Sequence, residues 1–458
     1  MRPASRSFRL VGRLCASLIA AALSINGAAA QSILRDAETE ALFHDMATPL
    51  VKAAGLDPRN VDVALVGDQS INAFVMNGQV VYLNAGLIDT ADTANQVQGV
   101  IAHELGHITG GHAISGEQGA KAAGTVSLLS LLIGAAAMAV GGGEAGMAAM
   151  MAGQSAAMGK YLAFSRGQEA QADAAGASFL SRAGISGRGS IEFFKKLEAE
   201  GYRRGYSQAE QADFLSTHPL ESDRIAVLQD SYEKDKAWTR PNDPVLEARF
   251  SRAKAKLFGY LKEPQETLQR YPESDTSVPA RYARAYAWHK EAFLDKAMGE
   301  VDALLRDSPA DPYFLELKGQ ILLEAGKPAD ALAPLRRATE LTANQPLIAT
   351  TFGHALIATE DPRNLAEAQR VLKAAVARDR ENPDAWYQLG MVYASTGDTA
   401  RARLASAEQQ VMSGRWSEAL ASAEAAGTLL PKGTPDSLRA QDIALQARAQ
   451  LERAKKRK

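Results

Sequence analysis

The sequence predicts a mainly α chain in two parts: an α+β domain with a small β-sheet, then an all-α solenoid of helical repeats. Three observations predict it. Residues 31–115 interleave strand-like and helix-like apolar spacings. After Pro241-Asn242-Asp243-Pro244 the composition shifts to Ala, Leu, Arg and Glu with helical periods only. Within that second part Gly319, Gly353 and Gly390 recur 34 and 37 residues apart, the period of a stacked helical-hairpin array. The predicted division is a leader over 1–30, a first domain over 31–240 and a repeat domain over 245–458. A chain of 458 residues is long enough for two or three domains with a sizeable core.

The leader reads as a cleaved signal peptide. Arg2, Arg6, Arg9 and Arg13 make a basic start without acids, Leu14 to Leu23 is apolar, and Ala28-Ala29-Ala30 offers small residues for cleavage. It carries four of the 51 bases and none of the 53 acids, so the exported chain has a net charge of −6. That balance argues against a nucleic-acid partner. Cys15 is the sole cysteine and lies in the leader, so a metal site in the exported chain must use His and carboxylate. The expected address is the periplasm.

Asp36 to Ala54 has helical spacing. Val61 to Val66 and Gln79 to Leu83 predict short strands, with Asn77-Gly78 as a turn between extended segments. Ala91 to Gly110 predicts a helix: Asp92 or Thr93 caps it, and Val97, Val100, Ile101 and Leu105 form its apolar stripe. On it stands His103-Glu104-Leu105-Gly106-His107. Histidines four apart share a helix face and can reach one metal ion, with Glu104 beside them to take a proton from water. This is a zinc-peptidase signature, and its chemistry is hydrolysis. The metzincin third ligand fails, because His112 arrives one residue early after Gly110; His112 packs near the helix end or lies behind the ligands.

Residues 116–160 differ. Val126 to Val140 is almost wholly apolar, and five of the eleven methionines (Met138, Met147, Met150, Met151 and Met158) fall in this segment. A run of fifteen residues is short of the ~20 a bilayer crossing needs. The segment reads as a buried helix with a Gly/Ala/Met loop, or as an adaptable apolar lid over 126–160 that touches membrane or unfolded substrate. Residues 161–230 read as helical, interrupted at Gly184-Ile185-Ser186-Gly187 and Thr217-His218-Pro219. Glu169 and Asp173 are i and i+4, so both face one way. Glu169 completes a His₂Glu ligand set. Asp173 accepts a hydrogen bond from the free ring nitrogen of a ligating histidine.

In the repeats, Leu322, Leu356 and Tyr393 follow the three glycines by three residues; Gly326 and Gly397 mark inter-helix turns; Ala331 and Ala402 stand five residues beyond them. Trp386-Tyr387-Gln388-Leu389-Gly390 is the best copy, Asp361-Pro362-Arg363-Asn364 is a loop insertion, and weaker copies begin near Pro279 and Arg415. This resembles the tetratricopeptide repeat, whose stacked units form a curved solenoid with a concave groove.

The HEXXH and ExxxD motifs, with Asn72-Ala73-Phe74, Asn84-Ala85-Gly86-Leu87, Thr217-His218-Pro219 and Arg224, make the exported chain resemble the zinc metallopeptidases related to the prenyl-protein (CAAX) endopeptidases. More narrowly it resembles their soluble periplasmic branch with C-terminal tetratricopeptide repeats, the β-barrel assembly-enhancing proteases. The resemblance implies a gluzincin-like α+β domain and one Zn²⁺ per chain. It also implies His218 as a fourth ligand that displaces the catalytic water; the residues alone read equally as a loop histidine. Arg224 is expected to stabilise the oxyanion or to form a surface salt bridge. His44, His289 and His354 carry no motif. The implied function is degradation of misfolded or stalled outer-membrane proteins with chaperone-like help in their assembly. The alternative is chiefly a chaperone or adaptor that binds envelope proteins, among them the β-barrel assembly machinery, through its repeats. An extended substrate is expected to add as a strand at the edge near Gln79 to Leu83.

Overall fold

A computed structural model describes residues 33–76, 78–112, 125–133, 143–204, 218 and 222–456. The leader, Asn77 of the expected turn, Thr217, Pro219 and residues 134–140 of the apolar run lie outside the described residues.

Asp36 caps the first helix, α1 (Ala37–Ala53), by accepting the Thr39 N–H at 2.8 Å. Leu42, Phe43, Met46 and Leu50 lie on one helical stripe and are fully buried. The described residues hold a four-stranded sheet: β1 (Ile33–Leu34), β2 (Asp62–Val66), β3 (Ala73–Met76) and β4 (Val80–Asn84), in the order β1-β2-β4-β3. β2 pairs with β4 in parallel, Val63 opposite Val81 and Leu65 opposite Leu83, and these side chains face the core. Phe74 opposite Tyr82 stacks ring on ring at 5.1 Å on the other side of the sheet.

This order corrects one expectation. The segment near Gln79 to Leu83 is not an edge, because β4 is bonded on both sides, to β2 and to β3. The parallel β2–β4 pair is a long-range choice that local alternation does not reveal. Among the described residues the edge beside the helix that carries His103 and His107 is β3, which packs against that helix.

One helix fills most of the span expected over 91–110, and a short helix precedes it. α2 (Ala85–Thr90) ends at an extended Ala91, and α3 (Ala94–Thr109) begins after Thr93, whose hydroxyl accepts the Gln96 N–H at 3.2 Å. The Glu247 carboxylate, distant in sequence, adds a second cap by accepting the N–H groups of Ala94 and Asn95 at 2.8 and 3.2 Å. Every α3 residue from Ala94 to His107 is buried. Around it pack α1, β3, α4 (Gly143–Ala183), α5 (Arg188–Arg204) and α7 (Pro244–Leu261), while α6 (Ser222–Glu233) covers α4 and α5. Gly184, at φ +67°, ends α4 at the expected interruption. The Asn95 side chain clamps the turn that follows, donating to the Ser186 carbonyl and accepting the Gly189 N–H, both at 2.9 Å.

The apolar run is helical over 125–133, but it is not the buried helix that one reading expected. Leu128, Leu129, Leu131, Leu132 and Ile133 are exposed, as are Met147, Met151 and Met158 on α4. No helix among the described residues is long and apolar enough to cross a membrane.

The second half is an all-α array of antiparallel helix pairs. Val278–Lys290 pairs with Leu294–Asp307, Pro312–Glu324 with Pro328–Leu341, Pro346–Ala358 with Leu365–Arg378, Pro383–Ser395 with Thr399–Met412, and Trp416–Leu429 with Pro435–Lys456. Two of the recurrent glycines make room for the partner helix: a Cβ on Gly319 would stand 2.3 Å from Leu335, and one on Gly353 2.5 Å from Leu372. A proline opens three of the first helices, at Pro312, Pro346 and Pro383, capped by Asp311, Gln345 and Asn382. The inserted Asp361–Asn364 forms a 3₁₀ turn.

The two halves share a helix. α7 follows the proline boundary, yet its Phe250, Ala253 and Leu257 belong to the core around α3. Its other face joins an ionic knot: Lys256 pairs with Asp36 and Glu38, Arg252 with Glu38 and Asp311, and the Tyr282 hydroxyl donates to Glu38 at 2.8 Å.

Candidate metal centre

The site grows from the crossing of α3 and α4. His103, Glu104 and His107 are buried on α3, and Glu169 and Asp173 are buried one turn apart on α4. Small residues bring the helices together. A Cβ on Gly106 would stand 2.5 Å from the Ala172 carbonyl oxygen, and one on Gly176 3.1 Å from the Ala102 backbone. At that separation a carboxylate side chain on α4 reaches an imidazole on α3.

Four donors converge: His103, His107, Glu169 and His218, with one ligand atom from each within 4.8 Å of the others. His103 Nε2 lies 3.1 Å from His107 Nε2, 3.3 Å from His218 Nδ1 and 3.3 Å from Glu169 Oε2. Glu169 Oε1 is 3.4 Å from His107 Nε2, and Glu169 Oε2 is 3.1 Å from His218 Nδ1. Tetrahedral ligands on bonds of ~2.0–2.1 Å stand ~3.3 Å apart. The donor set and its spacing therefore fit one small cation.

Beside it lies Glu104, wholly buried, whose two carboxylate oxygens have no hydrogen-bond partner among the described residues. His218 Nε2 is 3.5 Å from Glu104 Oε1, so His218 stands between the general-base candidate and the other donors. Behind the donors, His103 Nδ1 is 2.9 Å from Asp173 Oδ1. Arg224 makes a two-pronged contact with Asp173, Nε to Oδ2 at 2.8 Å and Nη2 to Oδ1 at 3.0 Å, and its Nη2 is 3.2 Å from Glu169 Oε2. The guanidinium is thus engaged with buried carboxylates, not with the exposed surface partner that one reading of the sequence expected. His112 Nδ1 lies 2.9 Å from His107 Nδ1, and the buried Phe194 ring meets His103 edge-on.

The profile of peptidase family M48 matches residues 34–231.

These residues are a peptidase family M48 domain.

A tetratricopeptide repeat profile matches residues 361–405 within the second half. The β-barrel assembly-enhancing protease of Escherichia coli (strain K12) is 24% identical over 377 residues, covering 81% of this chain and 75% of the relative. Its namesake from Yersinia pestis is 24% identical over 363 residues, covering 78% and 72%. Metalloprotease LoiP of Escherichia coli (strain K12) is 30% identical over 181 residues, covering 39% of this chain and 64% of the relative. The chain is a metalloendopeptidase that joins an M48 domain to helical repeats.

Burial and charge tune the M48 centre. Burial pushes the Glu104 carboxyl above the usual range, against the pull of His218 and His103. Burial opposes a charge on His103, but hydrogen bonds to Asp173 and Glu169 outweigh it and raise the ring to about 10. His107 is lowered to about 2 by burial and by the neighbouring His103 and His218. Despite burial, Asp173 is held below the carboxylate range by His103 and Arg224, and Glu169 by His103 and His218. A cation at the shared point would compete with a proton on His103.

Sequence reading did not find the Glu247 cap, the Phe194 contact or the partners of Arg224. The close helix crossing had a signal: Gly106 inside a helix costs about 1 kcal/mol relative to Ala, which marks a site where another backbone approaches.

Proposed function

We propose that the chain is a zinc-dependent endopeptidase of the periplasm that degrades misfolded or stalled outer-membrane proteins and assists their assembly. The convergence of His103, His107 and Glu169 beside the unpartnered, buried Glu104 carries this reading. His103, His107 and Glu169 hold the ion, and His218 is a fourth ligand of the latent state. Zinc, when bound, supplies a Lewis acid and a water activated near neutral pH. Glu104 takes the proton of the attacking water and delivers it to the leaving amine; its raised pKa suits both steps. Asp173 orients His103, and Arg224 holds Asp173 and Glu169 in place.

An extended substrate adds along β3, the edge beside α3. Strand addition needs an unfolded segment, so selectivity for misfolded chains follows. One assay tests both parts. Wild type cleaves an unfolded outer-membrane precursor and spares its folded form, while Glu104→Gln retains metal and cleaves neither. Activity in Glu104→Gln would end the peptidase mechanism, and equal cleavage of both forms would end strand addition.

The repeat array supports a second reading, in which the chain is chiefly a chaperone or adaptor for envelope proteins, including the β-barrel assembly machinery. Full rescue of an envelope defect by Glu104→Gln would favour it. The exposed Leu128, Leu129, Leu131, Leu132, Ile133, Met147, Met151 and Met158 support peripheral membrane contact through 126–160. Fractionation of the exported chain checks that contact; complete recovery in the soluble fraction with vesicles present would remove it. The acidic balance supports no nucleic-acid role.

A further inference from the structure

We infer that His112 is a positioning residue that selects the metal-binding tautomer of His107, anchored in turn by Gln171. The inference rests on the metallopeptidase reading and concerns a residue outside the ligand set.

His107 faces the other donors with Nε2. For that nitrogen to offer its lone pair, the neutral ring must carry its proton on Nδ1. The Nδ1–H points at His112 Nδ1, 2.9 Å away. His112 can accept there only if its own proton sits on Nε2. That N–H in turn reaches the side-chain oxygen of Gln171 at 3.3 Å. A metal at His107 thus leaves one proton arrangement along the three side chains, and each link in it joins a donor to an acceptor. The reverse arrangement would put the His107 proton on the nitrogen that must bind metal.

The backbone is shaped for this contact. Gly111, at φ +65°, turns the chain just after α3 so that His112 folds back over the last helical turn. Gly110 leaves space for the ring, since a Cβ there would stand 2.4 Å from His112 Nε2. The ring is buried and meets His107 edge-on at 4.9 Å. The two α3 imidazoles are therefore oriented by different chemistry. His103 has the Asp173 carboxylate behind it, whereas His107 has a neutral acceptor, which fixes its geometry without adding a charge.

The test measures metal affinity of the full exported chain by competition with a chromophoric chelator, and the visible spectrum of its Co²⁺ form. Asparagine places a carbonyl oxygen where imidazole Nδ1 stood; leucine places none. His112→Leu is expected to bind metal about 10- to 100-fold more weakly, with altered Co²⁺ bands. His112→Asn should recover most of the affinity and the wild-type bands. If His112→Leu does not fold by circular dichroism, His112→Gln, which keeps polarity at the Nε2 position only, takes its place with the same expectation. Wild-type affinity in the leucine or glutamine variant overturns the inference. Equal weakening in the asparagine variant also overturns it, by reducing His112 to packing. A wild-type chain that takes up no metal would overturn the peptidase reading itself, and this inference with it.

Discussion

At the residue scale, His218 joins the donor cluster to Glu104. Its ring lies 3.1 Å from Glu169, 3.3 Å from His103 and 3.5 Å from Glu104, the proposed general base. A neutral imidazole is a good zinc ligand, and a filled fourth position blocks water. His218→Ala should therefore raise turnover of an unfolded substrate severalfold while loosening the metal. Initial rates and metal content in the same preparation check this. Inactivity with metal retained would instead make His218 part of the catalytic machinery. The motif histidines, Glu104 and Glu169 were legible as candidates because helical spacing alone places i and i+4 on one face. The engagement of Arg224 with Asp173 was not legible, because 51 residues separate them and no local pattern links α6 to α4.

At the element scale, the site depends on how closely α3 and α4 cross. Gly106 lies against the Ala172 backbone, which has no flexible side chain to yield. Gly106→Ala should part the helices, cost ~1–3 kcal/mol of stability as overpacking does, and weaken metal binding. A thermal melt with and without metal checks both effects; unchanged behaviour would mean that the crossing has slack. Strand order was the element-scale property that sequence left hidden. Alternation identified β2 and β4, but nothing local states that they pair in parallel and leave β3 at the edge. The short β1 has too few residues for any period to show.

At the scale of the whole molecule, α7 and its ionic knot join the peptidase core to the repeats. The knot's charges act on a further titratable group, Glu316, which feels Lys256, Asp36 and Glu38. Burial pushes Glu316 up to about 8, and its enclosed Oε2 has no hydrogen-bond partner among the described residues. A carboxyl whose folded pKa is raised stabilises fully below the unfolded value near 4.5, and that contribution is lost as pH rises to about 8. Glu316→Gln should remove this loss, so the variant is more stable than wild type near pH 8 and no more stable near pH 4. Denaturation midpoints at the two pH values decide it; an equal shift at both would exclude titration of Glu316 as the cause. The peptidase core and the repeats are expected to respond together, since α7 belongs to both.

The sequence by itself determined the mainly α class, the metal-binding helix, the downstream carboxylates and the repeat period, because each is written in short-range spacing that secondary structure converts directly into a shared face or a stacked unit. The tertiary structure alone decided that Glu169 and His218 meet the α3 histidines, that β3 is an edge of the described sheet, that Arg224 contacts the carboxylates, and that α7 binds the two halves. These are contacts between segments far apart in the chain, set by core packing and by where glycine and alanine let backbones approach, and no local periodicity encodes them.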